Sequence, residues 1–470
     1  MANCFPQVFS VTRKPHELII PARSTPREMK NLSDIDDQES LRFHVPALYF
    51  YENNPEPSMK GKDPVKVIKE AVSRALVFYY PLAGRLREGP DRKLTVDCNA
   101  EGVLFIEAEA NFKLEQLGNA IQPPCPYLDE LLYNVPGSDG ILGCPLLLIQ
   151  VRIYLSKVTR LTCGGFIVGL RFNHTIWDGF GLMQFLKTIE EMARGEHSPS
   201  VFPVWQRELL NARSPPQITC IHHEYEVTNN NQVPEVFTTT NPNNMIHKSF
   251  YFGPKDIKSL RQQLPLYLRN CSTFELLAAF IWRCRTIALK LDPEETVRFS
   301  CPVNVRGKSY NMYLPTGYYG NAMAFPAVCS KAEVLCRNPL EYAVKLVKKA
   351  KAKVNEEYIR SVADLMVIKG RLAKFPTKAN FIISDLTKVG LREVDLGWGK
   401  PVHGGVASAI SFISFFLRYI KEDGESGTLI PILLPPSNME RFEEEMKRMN
   451  QESTMKDLCN NKKTQIFCKL

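Results

Sequence analysis

FIVGLRFNHTIWDGFG, residues 166–181, reads as a strand that ends at a histidine and turns directly into a helix. Side chains along a strand alternate between its two faces. Phe166, Val168, Leu170, Phe172 and His174 therefore share one side, and four large apolar residues mark that side as the interior. His174 closes the strand pointing inward, and Thr175 to Gly181 bend the chain into the next element. An imidazole so placed meets a substrate while partly shielded from water. Its ordinary pKa of roughly 6.5 suits a general base near neutral pH. Asp178 lies four residues on and either orients the imidazole, as in a triad, or turns away and braces the loop; spacing leaves both open. An H-x-x-x-D string is short enough to arise by chance, and a lone inward histidine is ordinarily a satisfied core residue.

Outward from this stretch, Leu182, Met183, Leu186, Ile189 and Met192 mark a helix ending near Gly195. Upstream, CPLLLIQV forms the strand that precedes the histidine strand. LRFHVPALYFY, 41–51, is a strand rich in aromatic and branched residues. Residues 64–80 form an amphipathic helix with Pro64 in its first turn, and strands are predicted at 92–98 and 102–108. Residues 211–247 are rich in Pro, Asn and Thr and read as a linker. Beyond it, KSFYFGP is a strand, and Ser272 with Glu275 makes a capping box before a helix apolar nearly all round, hence buried. EYAVKLVKKAKAKV is an amphipathic helix whose lysines face solvent. VRFSCPVNVR, NFIISDL, ISFISFFLRYI and TLIPILL are further strands. Helices and strands mix throughout, so the class is α/β. The chain divides into an N-terminal lobe (1–210) carrying H-x-x-x-D, a crossover linker (211–247) and a C-terminal lobe (248–470).

The 470 residues exceed one hydrophobic core, and 44% hydrophobic with 23% charged residues is an ordinary globular balance. The net charge of +9 names no partner, and no dense basic block with interleaved aromatics supports nucleic-acid binding. Thirteen cysteines without a C-x-x-C pair read as reduced thiols of a cytoplasmic protein. Charges and prolines fill the N-terminal stretch where a signal peptide needs an apolar run, and no apolar run is long enough to span a bilayer. His222 and His223 in CIHHEYE have no third ligand at finger-like spacing and read as a surface segment. DGFGLMQ lacks the third glycine of a dinucleotide loop, and there is no Walker or G-x-S-x-G pattern.

The histidine stretch resembles the H-x-x-x-D-G signature of the plant BAHD acyltransferases. DLGWG, Asp395 to Gly399, resembles that family's second signature, D-F-G-W-G, in the same order and at similar separation. YYGNA (318–322) and VNVRGK (303–308) are similar to further family blocks. The N-terminal LSDIDDQESLRFHVPALYFY and FYYPLAGRLREGP resemble the alcohol acyltransferase branch, which includes fruit alcohol acyltransferases and benzyl alcohol O-benzoyltransferases. The resemblance covers essentially the whole chain. It implies two chloramphenicol-acetyltransferase-like lobes with an interlobe channel and His174 midway along it. It implies an enzyme, an O-acyltransferase of ester biosynthesis in plant secondary metabolism. Acyl-CoA would be co-substrate and a small aliphatic or benzyl-type alcohol acceptor, with no permanent cofactor and no metal. The protein would be a cytoplasmic monomer with no membrane or nucleic-acid partner. His174 would deprotonate the hydroxyl, which attacks the thioester without an acyl-enzyme. Asp178 would be structural and pair with Arg306. Asp395, Gly397, Trp398 and Gly399 would shape the CoA side, with an oxyanion role for the Trp398 N–H as an alternative to loop packing.

The chain departs from the family pattern at three places. Leu396 stands for the usual Phe, a conservative apolar change. Trp177 stands where this branch more often has a small residue, and would narrow the channel. VRIYLSK, 151–157, reads as about seven extra residues within a strand, and an odd insertion reverses the later faces unless it loops out. Two rivals follow: an N-acyltransferase of the same family, or a non-catalytic acyl-CoA-binding relative disabled by that insertion.

Overall fold

The computed structural model describes residues 11–110, 114–117, 121–125, 127–154, 165–226, 245–307, 310, 312–410 and 412–448. Two mixed sheets organise them. The first contains β1 (Val11–Arg13), β2 (Glu17–Ile19), β4 (His44–Tyr51), β7 (Val103–Ala110), β8 (Leu147–Tyr154), β9 (Phe166–Asn173) and β16 (His403–Val406). Its order is β1-β7-β8-β9-β4-β16, with β2 also on β7. The second contains β10 (Ile246–Phe252), β11 (Thr296–Ser300), β14 (Ala327–Lys331), β15 (Asn380–Asp385), β17 (Ile413–Ile420) and β18 (Ser426–Leu434), ordered β10-β18-β17-β15-β11-β14. A small sheet joins β3 (Met29–Asn31), β5 (Arg85–Glu88) and β6 (Leu94–Asp97), and a two-residue ribbon pairs β12 (Val303–Asn304) with β13 (Met323–Ala324). Pairing is mostly antiparallel, but β7–β8, β11–β15 and β15–β17 run parallel.

The alternation read in 166–174 is realised in the core. Phe166, Val168, Leu170 and Phe172 pack in one cluster with helix α1 (Pro64–Phe78) and helix α2 (Gly179–Ala193), while Ile167 packs on the opposite face. Helix α1 starts where Asp63 accepts from the Val65 N–H at 3.0 Å, ahead of Pro64. The second core surrounds helix α3 (Thr273–Leu289), whose Ser272–Glu275 capping box is formed at 3.0 and 3.2 Å. Helices α4 (Leu340–Ala352) and α5 (Glu356–Ile368) complete that core.

One strand belongs to both halves of the sequence. β16 lies far along the chain, yet pairs antiparallel with β4 from His403↔Phe50 to Val406↔Ala47 and closes the edge of the first sheet. The chain then passes to β17 of the second sheet.

Of the expected extra residues, 151–154 continue β8, and 155–157 lie outside the described residues. The β8–β9 ladder runs unbroken from Leu147↔Phe172 to Ile153↔Phe166. No face reversal reaches 166–173. His174 follows the other end of β9, roughly 25 Å from Phe166 at about 3.3 Å per strand residue.

Candidate active site

His174 follows the last residue of β9, and its N–H donates to the Phe43 carbonyl at 2.9 Å, which carries the ladder one step past the strand. Asn173 then stops it: its side-chain oxygen accepts from Thr175 N at 3.0 Å and Thr175 Oγ1 at 2.7 Å, a local turn that competes with further strand. Asp178 caps helix α2, accepting from the N–H groups of Phe180 and Gly181 at 3.1 Å each. Gly181 is required by close approach. A Cβ there would stand 2.1 Å from the Tyr319 carbonyl oxygen.

The other oxygen of Asp178 accepts from Arg306 Nη1 at 2.6 Å and from Ala322 N at 3.0 Å. The His174 ring is not among these four partners. A second buried carboxylate, Asp36, has no exposed surface and accepts from Arg207 Nη1 at 3.0 Å and from Asn321 N and Nδ2 at 2.8 and 2.9 Å. Arg207 also donates to the Ile176 carbonyl at 2.9 Å, and Asn321 Nδ2 to the His174 carbonyl at 2.9 Å. The turn after His174 is thus clamped by two carboxylates to the 33–37 loop, to Arg207 and to the 304–322 segment. Sequence reasoning missed Asp36, Arg207 and Asn321. The quoted blocks LSDIDD and YYGNA contain Asp36 and Asn321 but assigned them no role, and Arg207 lies in neither block.

His174 is half-buried and lines a cavity of about 230 Å³. The walls come from both halves of the chain and are mainly apolar, with Leu41 and Phe172 opposite Met323, Phe325, Val406 and Phe415. Burial is the main influence on the imidazole and holds its pKa below 6.5, against smaller raising effects of its own backbone, Asp178, Asn321 and Asp36. It is therefore neutral at pH 7. His44 also lines the cavity and was read only as part of a strand. Both its ring nitrogens are unpaired, and burial and the Arg171 charge push it down to about 4. Burial pushes the nearby Cys301 thiol up to about 12, which removes it as a nucleophile at neutral pH.

The second motif sits elsewhere. Asp395 accepts from Gly397 N at 2.9 Å and pairs with Arg194, just past helix α2, at 3.0 Å. Gly397 has φ 98°, and a Cβ there would meet Met59 Cγ at 2.7 Å; Gly399 lies in the same loop. Leu396 is buried in the first core. Trp398 packs edge-on against Phe166, with ring centroids 5.4 Å apart, at the far end of β9 from His174. That distance corrects the oxyanion alternative for its N–H.

Two further expectations are corrected. Trp177 does not narrow the cavity: it is 1% exposed and packs on Phe172 and Phe185, because the turn after the strand end carries its side chain into the first core. His222 is not on a surface segment. It is buried, with Nδ1 at 3.0 Å from Glu224 and Nε2 at 2.8 Å from Ser361, and Tyr358 donates to the same glutamate at 2.6 Å. No group of His, Cys, Asp and Glu residues suited to hold a metal occurs among the described residues, and none of their helices is long and apolar enough to cross a membrane.

Comparison with known proteins places this geometry. A family model described as the Transferase family matches residues 9–449. Alcohol acyl transferase 1 allele RGb of Malus domestica is 57% identical over 455 residues, 97% of this chain and 98% of that protein. Benzyl alcohol O-benzoyltransferase of Petunia hybrida is 55% identical over 448 residues, 94% of each. Among solved structures, vinorine synthase superposes with a TM-score of 0.68 at 23% identity, covering 92% of this chain and 96% of that one. TRI101 of F. sporotrichioides, complexed with coenzyme A and T-2, gives 0.63 at 20% identity over 89% and 97%. The last two establish the fold, two chloramphenicol-acetyltransferase-like lobes. The chain belongs to the Transferase family of BAHD acyltransferases, in its alcohol acyltransferase branch.

Proposed function

We propose that this chain transfers an acyl group from acyl-CoA to a small aliphatic or benzyl-type alcohol, with His174 as general base. The observation that carries this reading is the His174 imidazole on the wall of an apolar cavity shared by both halves of the chain. The named relatives are alcohol acyltransferases and a benzyl alcohol O-benzoyltransferase, and TRI101 is solved with coenzyme A. The cavity, about 230 Å³, is below the roughly 300–1,000 Å³ usual for drug-sized ligands and suits small reactants.

The steps follow from that arrangement. His174 takes the hydroxyl proton as the alcohol oxygen attacks the thioester carbonyl. The tetrahedral oxyanion collapses, the C–S bond breaks, and the imidazolium returns its proton to the departing CoA thiolate. Apolar walls keep out water that would otherwise hydrolyse the thioester. No acyl-enzyme is needed. Ser361, the serine hydrogen-bonded to a histidine, is buried and does not line the cavity. Asp178, Arg306, Asp395, Gly397, Trp398 and Gly399 have structural roles in this reading. Residues 1–210 supply the base, 211–247 cross over, and 248–470 supply the opposite wall. The protein acts as a cytoplasmic monomer.

The test is a panel of acyl-CoAs and alcohols with product mass detection, run beside His174→Ala. The variant should lose about 10²–10⁴-fold in turnover. Wild-type kcat/KM should fall on the acid side with a midpoint below pH 6.5, since protonating His174 removes the base. Undiminished turnover in His174→Ala refutes the assignment.

A further inference from the structure

A second cavity, of about 310 Å³, adjoins the chamber that holds His174. Leu386 and Leu391 line both spaces and form the partition between them. The two spaces also share strands. β16 gives Val406 to the chamber and Gly404 to the outer cavity, and β17 gives Phe415 to the chamber and Leu417 to the outer cavity. Each pair is two residues apart on one face of its strand, a step of roughly 7 Å at about 3.3 Å per residue. An acceptor longer than the chamber, with its hydroxyl at His174, therefore enters the outer cavity where its far end passes the two leucines.

The chamber is apolar, but the outer cavity is positively charged. Lys388, Arg392 and Arg418 line it, with Glu393 as the carboxylate in its wall. Glu393 is engaged by Lys400, which leaves the three lining cations without a counter-ion among the described residues. Asp385, close by in sequence, is held by the Thr387 N–H at 3.0 Å and the Thr387 hydroxyl at 2.6 Å. Arg392 donates one N–H to the Val402 carbonyl at 2.8 Å. Burial and the like charge of Arg418 hold its guanidinium below the ordinary pKa. Like charges around one cavity repel, and an anion between them removes that cost. His403 lines the same space. It is buried, and its Nε2 has no hydrogen-bond partner. A neutral imidazole with hydrogen on that nitrogen donates to an anion.

We propose that the outer cavity is an anion subsite for the acceptor, in which Lys388, Arg392 and Arg418 hold a carboxylate carried on the far end of a benzyl-type alcohol. The preferred acceptor is then a hydroxy acid. Its ring lies in the apolar chamber, its hydroxyl is esterified at His174, and its carboxylate stays unreacted among the cations. Arginine suits this task, because its N–H groups pair with both oxygens of a carboxylate. The phosphates of acyl-CoA are the other anions of the reaction, but the pantetheine arm sets them far from the thioester, whereas this cavity borders the chamber directly. The inference rests on the acyl-transfer reading and narrows its acceptor from benzyl-type alcohols in general to those that end in a carboxylate.

The experiment uses the full chain, one acyl-CoA donor and two acceptors that differ in charge but hardly in size, para-hydroxymethylbenzoate and para-hydroxymethylbenzamide. The readout is the ratio of their kcat/KM values. Wild type should favour the carboxylate about 10-fold, less than a buried pair would give, because Lys388 and Arg418 are exposed. Added salt should shrink that preference. In the double variant Lys388→Gln with Arg418→Gln the ratio should fall several-fold, through KM for the carboxylate. Arg418→Glu should shift selection towards an acceptor with a para-trimethylammonium group. A wild-type ratio at or below unity, or a ratio that the double variant leaves unmoved, overturns the proposal. An unmoved ratio with a raised KM for acyl-CoA also overturns it and gives the cations to the phosphates of CoA. If neither these acceptors nor benzyl alcohol turns over, the acyl-transfer reading itself fails. Calorimetry with para-hydroxymethylbenzoate then decides the subsite: binding to wild type that the double variant loses supports it, and equal binding or none overturns it.

Discussion

Removing Arg306 should destabilise the protein through a carboxylate it barely touches in sequence. Asp178 and Arg306 are 128 residues apart, and their side chains are 6% and 19% exposed. Breaking a buried ion pair by deleting one partner typically costs about 3–5 kcal/mol, because an uncompensated charge stays behind. Here three backbone N–H donors, from Phe180, Gly181 and Ala322 at 3.0–3.1 Å, still hold that charge. The expected loss for Arg306→Ala is therefore about 2–4 kcal/mol. Asp178→Asn keeps the helix-capping oxygen but turns an amide N–H₂ towards two donors, at a cost of about 1–3 kcal/mol. In the double variant no stranded charge remains on either side. Its loss should fall short of the sum of the single losses by at least about 1 kcal/mol. Urea unfolding followed by circular dichroism, with slopes compared across the four proteins, measures this. Additive losses, or a cost below about 1 kcal/mol for Arg306→Ala, would refute the view that this pair clamps the catalytic turn.

Trp177→Ser should destabilise by about 3–5 kcal/mol in the same assay, since it empties a core site, and should leave the ranking of alcohols unchanged. A changed ranking would return the indole to the substrate path. Phe415→Ala widens the cavity wall, so bulkier alcohols should gain in relative kcat/KM by about 10-fold or more, read from paired-substrate competition. An unaltered ratio would place Phe415 outside the acceptor site. Burial pushes His403 down to about 4 while it is 6% exposed. Its unfolded value lies near 6.5, so the unfolded chain takes up the proton first and stability is lost as pH falls from about 6.5 to 4. His403→Gln should flatten that slope by a few kcal/mol, checked by urea midpoints at stepped pH; an unchanged slope would show that another group governs it.

Local grammar made part of the site legible. Strict alternation through Phe166 to Phe172 put His174 on the core side of a strand end, and Ser272 with Glu275 announced the start of helix α3. What stayed hidden was long-range or had no pattern. Asp36 meets Arg207 across 171 residues and Asn321 across 285, and nothing in a linear reading distinguishes such a carboxylate from a solvated one. β16 is only four residues with two glycines, too short and too bare to show a strand period. Trp177 was expected to narrow the channel from its place beside His174 in the family pattern, and such proximity in sequence does not tell which way the turn sends the indole, here into the first core. His222 sits in a polar stretch whose burial is set by Glu224, Ser361 and Tyr358, none of them foreseeable from composition.

The late edge strand has a consequence for biosynthesis. β4 is complete at Tyr51, but the strand that covers its outer edge does not begin until His403. At about 5–20 residues per second, the ribosome needs roughly 20–70 seconds to deliver it. Throughout that interval the nascent sheet displays an open rim of backbone donors and acceptors, a template for pairing with neighbouring chains. Val406 and Ser408, which follow on the same stretch, also wall the cavity. The reaction chamber is thus among the last parts to close as translation finishes, and a chain released early would carry its histidine but no vessel around it.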